Sequence, residues 1–404
     1  MKYITCALLT CLLISCKPET KTSTLESGTY RATLKVSDSL NLPFNFEVIS
    51  KNELHIFNAE EVIEVTDITY VNDSVYIKFP VFEGFIAAKI EKDLLKGSFI
   101  KADLNRTMAF GAEKNAERFE AYERISKFDI SGNWETLFSP NSEEDKYIAK
   151  GIFKQLGNKI TGTFRTTTGD YRYLEGVLNG NQLMLSTFDG AHAFLFTGTV
   201  KNDSIHGMFY SGNHWEESFI AVRNETYELP NTNNLTYLKE GYDKVAFSFP
   251  DVNGNIISLE DDTYKNKVVL VQIMGTWCPN CLDESRYFAE FYKNNKNEDL
   301  EIIALAFEYV KTEEAAFKNI KRLKEKTGIE YPILLAQYGS SDKVIANEKL
   351  PMLNHILSYP TTIFIDKTGV VRKIHTGFNG PATGDKYVEF KTEFNSFIGE
   401  LLKE

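Results

Sequence analysis

The apolar residues of this chain change their period near residue 224, and that change limits the fold more than any single motif does. Before it, short segments such as VYIKF, ITGTF, LMLSTF, AFLFTG and SFIAV alternate apolar and polar residues between Asn, Asp and Gly turns. A period of two broken by frequent turns is the pattern of antiparallel strands with one buried face. After it, KVVLVQIM (267–274) and EIIALAF (301–307) are unbroken apolar runs, the mark of strands buried on both faces of a parallel sheet. A multidomain chain follows, with an antiparallel all-β part and then an α/β part. The stretch NETYELPNTNN (224–234), where Pro and Asn accumulate, marks the join.

Each part has internal order. SGTYRATL from Ser27 and SGNWETLF from Ser131 each open a stretch of about a hundred residues, and LLKGSFI and SIHGMFY fall near the two ends. The β-rich domain, 28–224, therefore reads as a candidate duplication over 28–126 and 131–224. Two small barrels or sandwiches fit this, as do two halves of one larger sheet system. SGNWE resembles the opening of lipocalin-like barrels, whose mouths bind small apolar ligands; Trp134 and Trp215 read otherwise as core or face-covering residues. Beyond a linker at 225–238, the segment after KVVLVQIM sets Phe288, Phe291 and Tyr292 on one helical face, which makes a right-handed β-α-β unit. TEEAAFKNIKRLKEKTG predicts a second helix stopped at Gly328, and TTIFID, KTG and VVRKIHTG a strand, turn and strand. The last segment spaces Phe390, Phe394, Phe397, Ile398 and Leu401 as an amphipathic helix.

The formal charge of −11 comes with no basic block or stripe, so no nucleic-acid partner is expected. Lys2 followed by YITCALLTCLLI is too short for a spanning helix and has the layout of a secretory signal, expected over residues 1–15. LISC resembles the lipobox of bacterial lipoproteins, which implies cleavage before Cys16, acylation of Cys16 and a polar linker over 16–27. That places the chain in a bacterial cell envelope, held to the membrane by lipid, on the periplasmic side or at the outer membrane. Cys6 and Cys11 leave with the signal, so Cys278 and Cys281 are the remaining thiols and no disulfide framework is expected.

Those two cysteines lie in GTWCPNC (275–281), where a buried strand gives way to a helix. Unpaired N–H groups and the helix dipole favour a thiolate there, which makes Cys278 the candidate nucleophile. Cys281, one turn on, is placed to resolve a mixed disulfide. Zinc needs four ligands and one C-x-x-C supplies two, while His192, His206 and His214 have no metal-binding spacing; no metal and no cofactor are expected. A structural disulfide would close too short a loop to stabilise much. Pro279 suits the first helical turn and removes one N–H donor near the sulfur, which leaves the redox potential open.

W-C-x-x-C after a buried strand resembles the thioredoxins, and FSFPDVNGNIISLEDDTYKNKVVLVQIMGTWC with YPTTIFIDKTGVV resembles their TlpA and ResA-like branch, over roughly residues 240–404. The resemblance implies a thioredoxin-like domain over 239–404 and a membrane-tethered, extracytoplasmic thiol-disulfide oxidoreductase. It implies clients with disulfides, such as apocytochrome c thiols before haem attachment, and a membrane thiol relay that recharges the dithiol. It carries Pro360 over to the family's cis-proline beside the dithiol, with Tyr359, Thr361 and Trp277 meeting the client. Thioredoxins have a buried Asp six residues before the first cysteine; Gln272 stands there here. In the ResA-like branch a Glu three residues after the second cysteine can exchange the proton, and Glu284 holds that place. The helix period puts Glu284 on the face of Cys281, and a solvated helix carboxylate is the other reading of the same residue. The electron-carrier reading needs the sulfur of Cys278 unburied, near Cys281 and near Pro360.

Two alternatives stand beside it. A peroxiredoxin-like peroxidase shares the architecture, but its P-x-x-x-T-x-x-C pattern lacks the proline here and Thr276 lies two residues before Cys278. A ligand- or partner-binding lipoprotein would use the α/β domain as an accessory, since about half of the mature chain lies outside the resemblance.

Overall fold

The computed structural model describes residues 23–119, 126–295 and 299–404, so the signal segment and Cys16 lie outside the described residues. Nine strands form a first antiparallel sheet: β1 (Gly28–Lys35), β2 (Asn41–Ser50), β3 (Glu53–Asn58), β4 (Glu61–Val65), β5 (Asp67–Val71), β6 (Ser74–Lys78), β7 (Phe85–Glu91), β8 (Leu94–Lys101) and β9 (Arg106–Lys114). Nine more form a second: β10 (Gly132–Phe138), β11 (Tyr147–Leu156), β12 (Lys159–Thr166), β13 (Gly169–Asp170), β14 (Leu174–Asn179), β15 (Gln182–Phe188), β16 (Ala193–Lys201), β17 (Ser204–Ser211) and β18 (Trp215–Arg223). The first runs in the order β4-β3-β2-β1-β9-β8-β7-β6-β5. In the second, β10 likewise pairs with β11 and with β18, and an extra β11–β12 pairing closes the sheet into a barrel from which β13 projects.

The two sheets repeat local devices as well as order. The Tyr30 hydroxyl donates to the carbonyl of Glu26 at 3.2 Å, and the Trp134 indole donates to that of Ile130 at 2.9 Å, each reaching four residues back. The glycine common to LLKGSFI and SIHGMFY has a steric cause: a Cβ at Gly97 would fall 2.0 Å from the Ala87 oxygen, and one at Gly207 would fall 2.3 Å from that of Thr197. Phe138, Phe164, Phe196, Phe209 and Phe219 fill the barrel interior with ring centroids 4.6 to 6.3 Å apart. Arg223 lies 4.6 Å over the Trp134 ring. The sheets share a core, because Phe188, Ala193 and Leu195 of the second pack into the cluster of the first and Phe44 meets Phe188 at 4.4 Å.

A short hairpin, β19 (Ser248–Pro250) and β20 (Ile256–Ser258), leads into the α/β part. There β21 (Val268–Met274), α1 (Pro279–Asn294), β22 (Leu300–Phe307), α2 (Glu313–Thr327), β23 (Ile333–Gln337), α3 (Lys343–Asn347), β24 (Thr361–Ile365), β25 (Val371–Thr376) and α4 (Asp385–Lys403) follow in turn. The sheet order is β23-β22-β21-β24-β25, with β22 parallel to β21 and to β23, and with β24 antiparallel to β21 and β25. Every residue of β21 is buried, as its unbroken apolar run requires. Thr312 caps α2 by accepting from Ala315 N–H, and Gly328, at φ 70°, ends it. On α4, Phe394 meets Phe288 and Phe291 of α1 at 5.4 and 4.9 Å. The expected class holds: an all-β first part and a thioredoxin-like α/β second part. The two touch, since Val81, Phe82 and Ala191 join the α/β core and Glu83 pairs with Arg322 of α2 at 2.5 Å. Among the described residues no helix is long and apolar enough to cross a membrane.

Candidate active site

The buried strand β21 delivers the chain to the N-terminus of α1, where Cys278 is the capping residue and Pro279 the first helical one. Proline loses nothing there because the first helical N–H groups have no intrahelical partner. The Cys278 sulfur accepts instead from the N–H of Cys281 at 3.2 Å, and the two cysteines form a disulfide with Cα atoms 5.2 Å apart. A sulfur that receives a backbone N–H at the positive end of a 16-residue helix is placed to carry negative charge once the disulfide is reduced. It also lies 3.5 Å from the carbonyl oxygen of Tyr359, whose bond to Pro360 is cis.

The flanking residues hold this turn from several sides. Trp277 is half-buried, donates from its indole to the Phe307 carbonyl at 3.0 Å, and stands edge-on to Tyr359 at 5.6 Å. It also lines a cavity of about 320 Å³ between the β part and the α/β part, together with Lys101, Arg106, His192, His214 and Tyr309. Thr361 is fully buried and gives its hydroxyl to the Ser358 carbonyl at 2.9 Å, so against expectation its side chain supports the proline turn and does not meet a client.

Glu284 is fully buried, which removes the solvated-carboxylate reading. It sits one turn after Cys281 on the inner face of α1 and accepts from Gln272 Nε2 at 2.8 Å and from the Thr362 hydroxyl at 2.9 Å. Burial pushes its carboxyl up to about 8, against the pull of those two hydrogen bonds. Gln272, in the place of the thioredoxin Asp, is thus the partner that orients this carboxyl. A second buried acid went unnoticed in the sequence: Glu308 accepts from the N–H and the hydroxyl of Thr276, both at 2.7 Å. Burial pushes it up to about 7. Its signal was its place directly after the apolar run of β22, at the carboxyl end of a parallel strand, where open α/β sheets gather functional groups.

One expectation is overturned. Cys278 is only 7% exposed in the disulfide form, so its sulfur does not stand open to a client, and the condition set for the electron-carrier reading is met only in a conformation in which its cover has moved. The contacts of the sulfur itself, with Cys281 and the Tyr359 carbonyl, lie within its own domain, and residues of the β part pack around the turn that carries it. Arg172 ends the turn between β12 and β14 and donates to the Pro279 carbonyl at 3.3 Å. It also pairs with Asp283 of α1, with Glu61 of the first sheet and, at 3.3 Å, with Asp189 of the second. Burial works against this guanidinium, but its carboxylate neighbours raise its pKa well above the usual value. Nothing in the local pattern FRTTTGDYR announces such a role; it reads as a turn.

A C-x-x-C at the head of the first helix of a thioredoxin-like domain, beside a cis-proline, defines a dithiol oxidoreductase site. Residues 239–388 match the Redoxin family. Over 140 residues the chain is 31% identical to thiol-disulfide oxidoreductase ResA of Bacillus subtilis (strain 168), covering 35% of this chain and 69% of that protein. It is 31% identical over 131 residues to ResA of Geobacillus thermodenitrificans (strain NG80-2), covering 32% and 66%. Against the thioredoxin-like protein YneN of Bacillus subtilis the identity is 27% over 140 residues, covering 35% and 73%. Among solved structures, a putative protein disulfide isomerase from Bacteroides thetaiotaomicron is 18% identical, covers 43% of this chain and 95% of its own, and superposes with a TM-score of 0.30. The chain belongs to the ResA-like family of thiol-disulfide oxidoreductases, the activity its motif implied. Enzymes of that activity act on client proteins with disulfides; the β-rich part lies outside the Redoxin match.

Proposed function

We propose that this enzyme is a lipid-anchored, extracytoplasmic reductase of client disulfides, with Cys278 as nucleophile and Cys281 as resolving thiol. The thiolate of Cys278 attacks one client sulfur and forms a mixed disulfide; the other client sulfur leaves as a thiolate and takes up a proton. Cys281 then attacks Cys278, its proton passing through the ionised form of Glu284 to the departing client sulfur. The client leaves as a dithiol, its two electrons supplied by the pair that ends as the Cys278–Cys281 disulfide. A membrane thiol relay restores the dithiol, and clients awaiting haem attachment fit a reductant of this kind.

The observation that carries the reading is the sulfur of Cys278 at a helix N-terminus, receiving the Cys281 N–H at 3.2 Å beside the Tyr359–Pro360 turn. In this reading Tyr359 and Trp277 flank the client, and Thr361 braces the proline turn from below. Residues 1–15 act as signal, Cys16 carries lipid, and linkers at 16–27 and 225–238 bound the β-rich domain of 28–224 and the redox domain of 239–404. Insulin reduction by the intact protein tests the chemistry: Cys278→Ser is expected to abolish it, and a full rate in that variant would end the mechanism. Incorporation of labelled palmitate, lost in Cys16→Ala, tests the anchor.

A further inference from the structure

The turn between β12 and β14 meets the redox domain at the places that surround Cys278. The Thr168 carbonyl accepts from the Ser358 hydroxyl at 3.0 Å, two residues before Pro360. The Asp170 carbonyl accepts from Asn280 Nδ2, between the two cysteines, at 3.2 Å, and the Asp170 carboxylate accepts from the Gly380 N–H at 2.7 Å. Both sides have discarded side chains to permit this. A Cβ at Gly377 would fall 2.6 Å from the carbonyl carbon of Thr168, and one at Gly169 would fall 2.1 Å from Asn280 Nδ2. Arg172, whose side chain holds α1, takes a left-handed φ of 59°, a conformation a non-glycine residue keeps only when its surroundings insist on it. Its N–H is held by the Asp170 carboxylate at 2.7 Å.

We infer that the hairpin Thr166–Arg172 is a specificity-determining part of the redox site: it fills the groove between Cys278, Pro360 and Gly377, and a client must displace it to reach the sulfur. This rests on the redox role proposed above for Cys278. The hairpin uses main-chain carbonyls to accept from the Ser358 hydroxyl, which also reaches the Tyr359 carbonyl at 3.3 Å, and from the Asn280 amide, so opening the groove exposes donors that a client carbonyl can take up in place of water. An extended client segment with free carbonyls does so. A disulfide held inside a compact fold does not, and neither does one in a small apolar molecule. The preferred substrates are therefore disulfides in unfolded or extended segments, and turnover scales with the fraction of molecules whose hairpin is open.

The test compares reagents of two sizes on the reduced full-length protein. Alkylation of the Cys278 peptide by iodoacetamide and by a maleimide bearing a long polyethylene glycol is followed by mass spectrometry, each rate normalised to that of glutathione. The wild type is expected to slow the large reagent by about tenfold more than the small one, the effect of an open state kept to a minor fraction. Gly169→Val and Asp170→Ala are expected to remove most of that discrimination and to speed reduction of a folded disulfide protein more than that of an unfolded peptide. Equal normalised rates in the wild type overturn the inference whether or not the variants fold. Discrimination that persists unchanged in folded variants also overturns it, since the cover then lies elsewhere. Equilibration in glutathione buffers separates the two layers: if the Cys278–Cys281 couple never forms, the redox reading itself fails, whereas a couple that forms with no size discrimination sinks only the hairpin.

Discussion

Glu284 shows what one buried residue adds to a dithiol. An ionised carboxylate in that place would have only Gln272 and Thr362 to replace water, and burial outweighs them, so the proton is held up to about 8. At neutral pH the group stands protonated next to the helical turn of Cys281, able to release and retake a proton as pH passes about 8. Glu284→Gln is expected to slow client release by about a hundredfold, the usual worth of a positioned acid or base, and to remove the limb near that pH from the pH–rate profile in stopped-flow reduction. Stability gives an independent readout. Because the folded pKa lies above the ordinary 4.5, the folded state holds more protons than the unfolded chain between about 4.5 and about 8. Stability is therefore full below that window and falls as pH rises through it, by up to about 1.4 kcal/mol per pH unit from this residue. Melting curves of Glu284→Gln should fall less steeply with pH than those of the wild type, while Glu308, pushed up to about 7, keeps part of the slope in both. The position of Glu284 was legible from its spacing to Cys281; its burial was not, because that depends on Thr362 arriving from a strand 78 residues away.

At the scale of elements, what the hydrophobic period dictates was legible and what a helix end does not dictate was not. The unbroken run of β21 and the spacing of α4 both follow from how many faces of an element lose water. On α4, Phe394, Ile398 and Leu401 are buried as their spacing demands, while Phe390 and Phe397 lie at the edge of the core. Phe394 is the centre of that packing, with the rings of Tyr287, Phe291 and Phe364 at 5.3, 4.9 and 5.8 Å. Phe394→Ala removes a ring from a site walled by rigid neighbours, so the cavity cannot collapse. The expected loss is about 3–5 kcal/mol, read as a lower denaturation midpoint with an unchanged slope. Such packing matters to the chemistry because α1 is held from behind by α4, and α1 presents both sulfurs. In the β part, the shared glycine and the aromatics at Tyr30 and Trp134 are likenesses between the two sheets legible from four short strings, whereas closure of the second sheet rests on the β11–β12 pairing, which no local pattern encodes.

Across the whole molecule, the division into β and α/β parts was visible in the sequence, and their mutual arrangement was not. The contacts that set it join residues 107 to 239 positions apart, through single side chains with no period to betray them. Arg172 is the centre of that arrangement: one buried cation meets carboxylates from the first sheet, the second sheet and the redox helix. Three acids around one guanidinium make its removal worse than the loss of a bond, since Glu61, Asp189 and Asp283 then lose the buried cation they share, and among the described residues only Asp189 and Asp283 keep a second ion-pair partner, in His192 and Arg286. Arg172→Met is expected to cost about 3–5 kcal/mol and to loosen the β part from α1, seen as faster amide exchange in both. The pH dependence has a definite sign. Ionised carboxylates are what the variant cannot tolerate, and they are what the guanidinium pairs with in the wild type; for Asp189, against burial, His192 and then Arg172 hold the pKa below its ordinary value. Acid protonates them, which relieves the variant and weakens the wild type. The stability gap should therefore be wide at about pH 8 and narrow as pH falls toward the carboxylate range. A gap that stays constant would mean that Arg172 contributes packing alone, and that the charge shared among the three elements does not hold the redox helix against the β part.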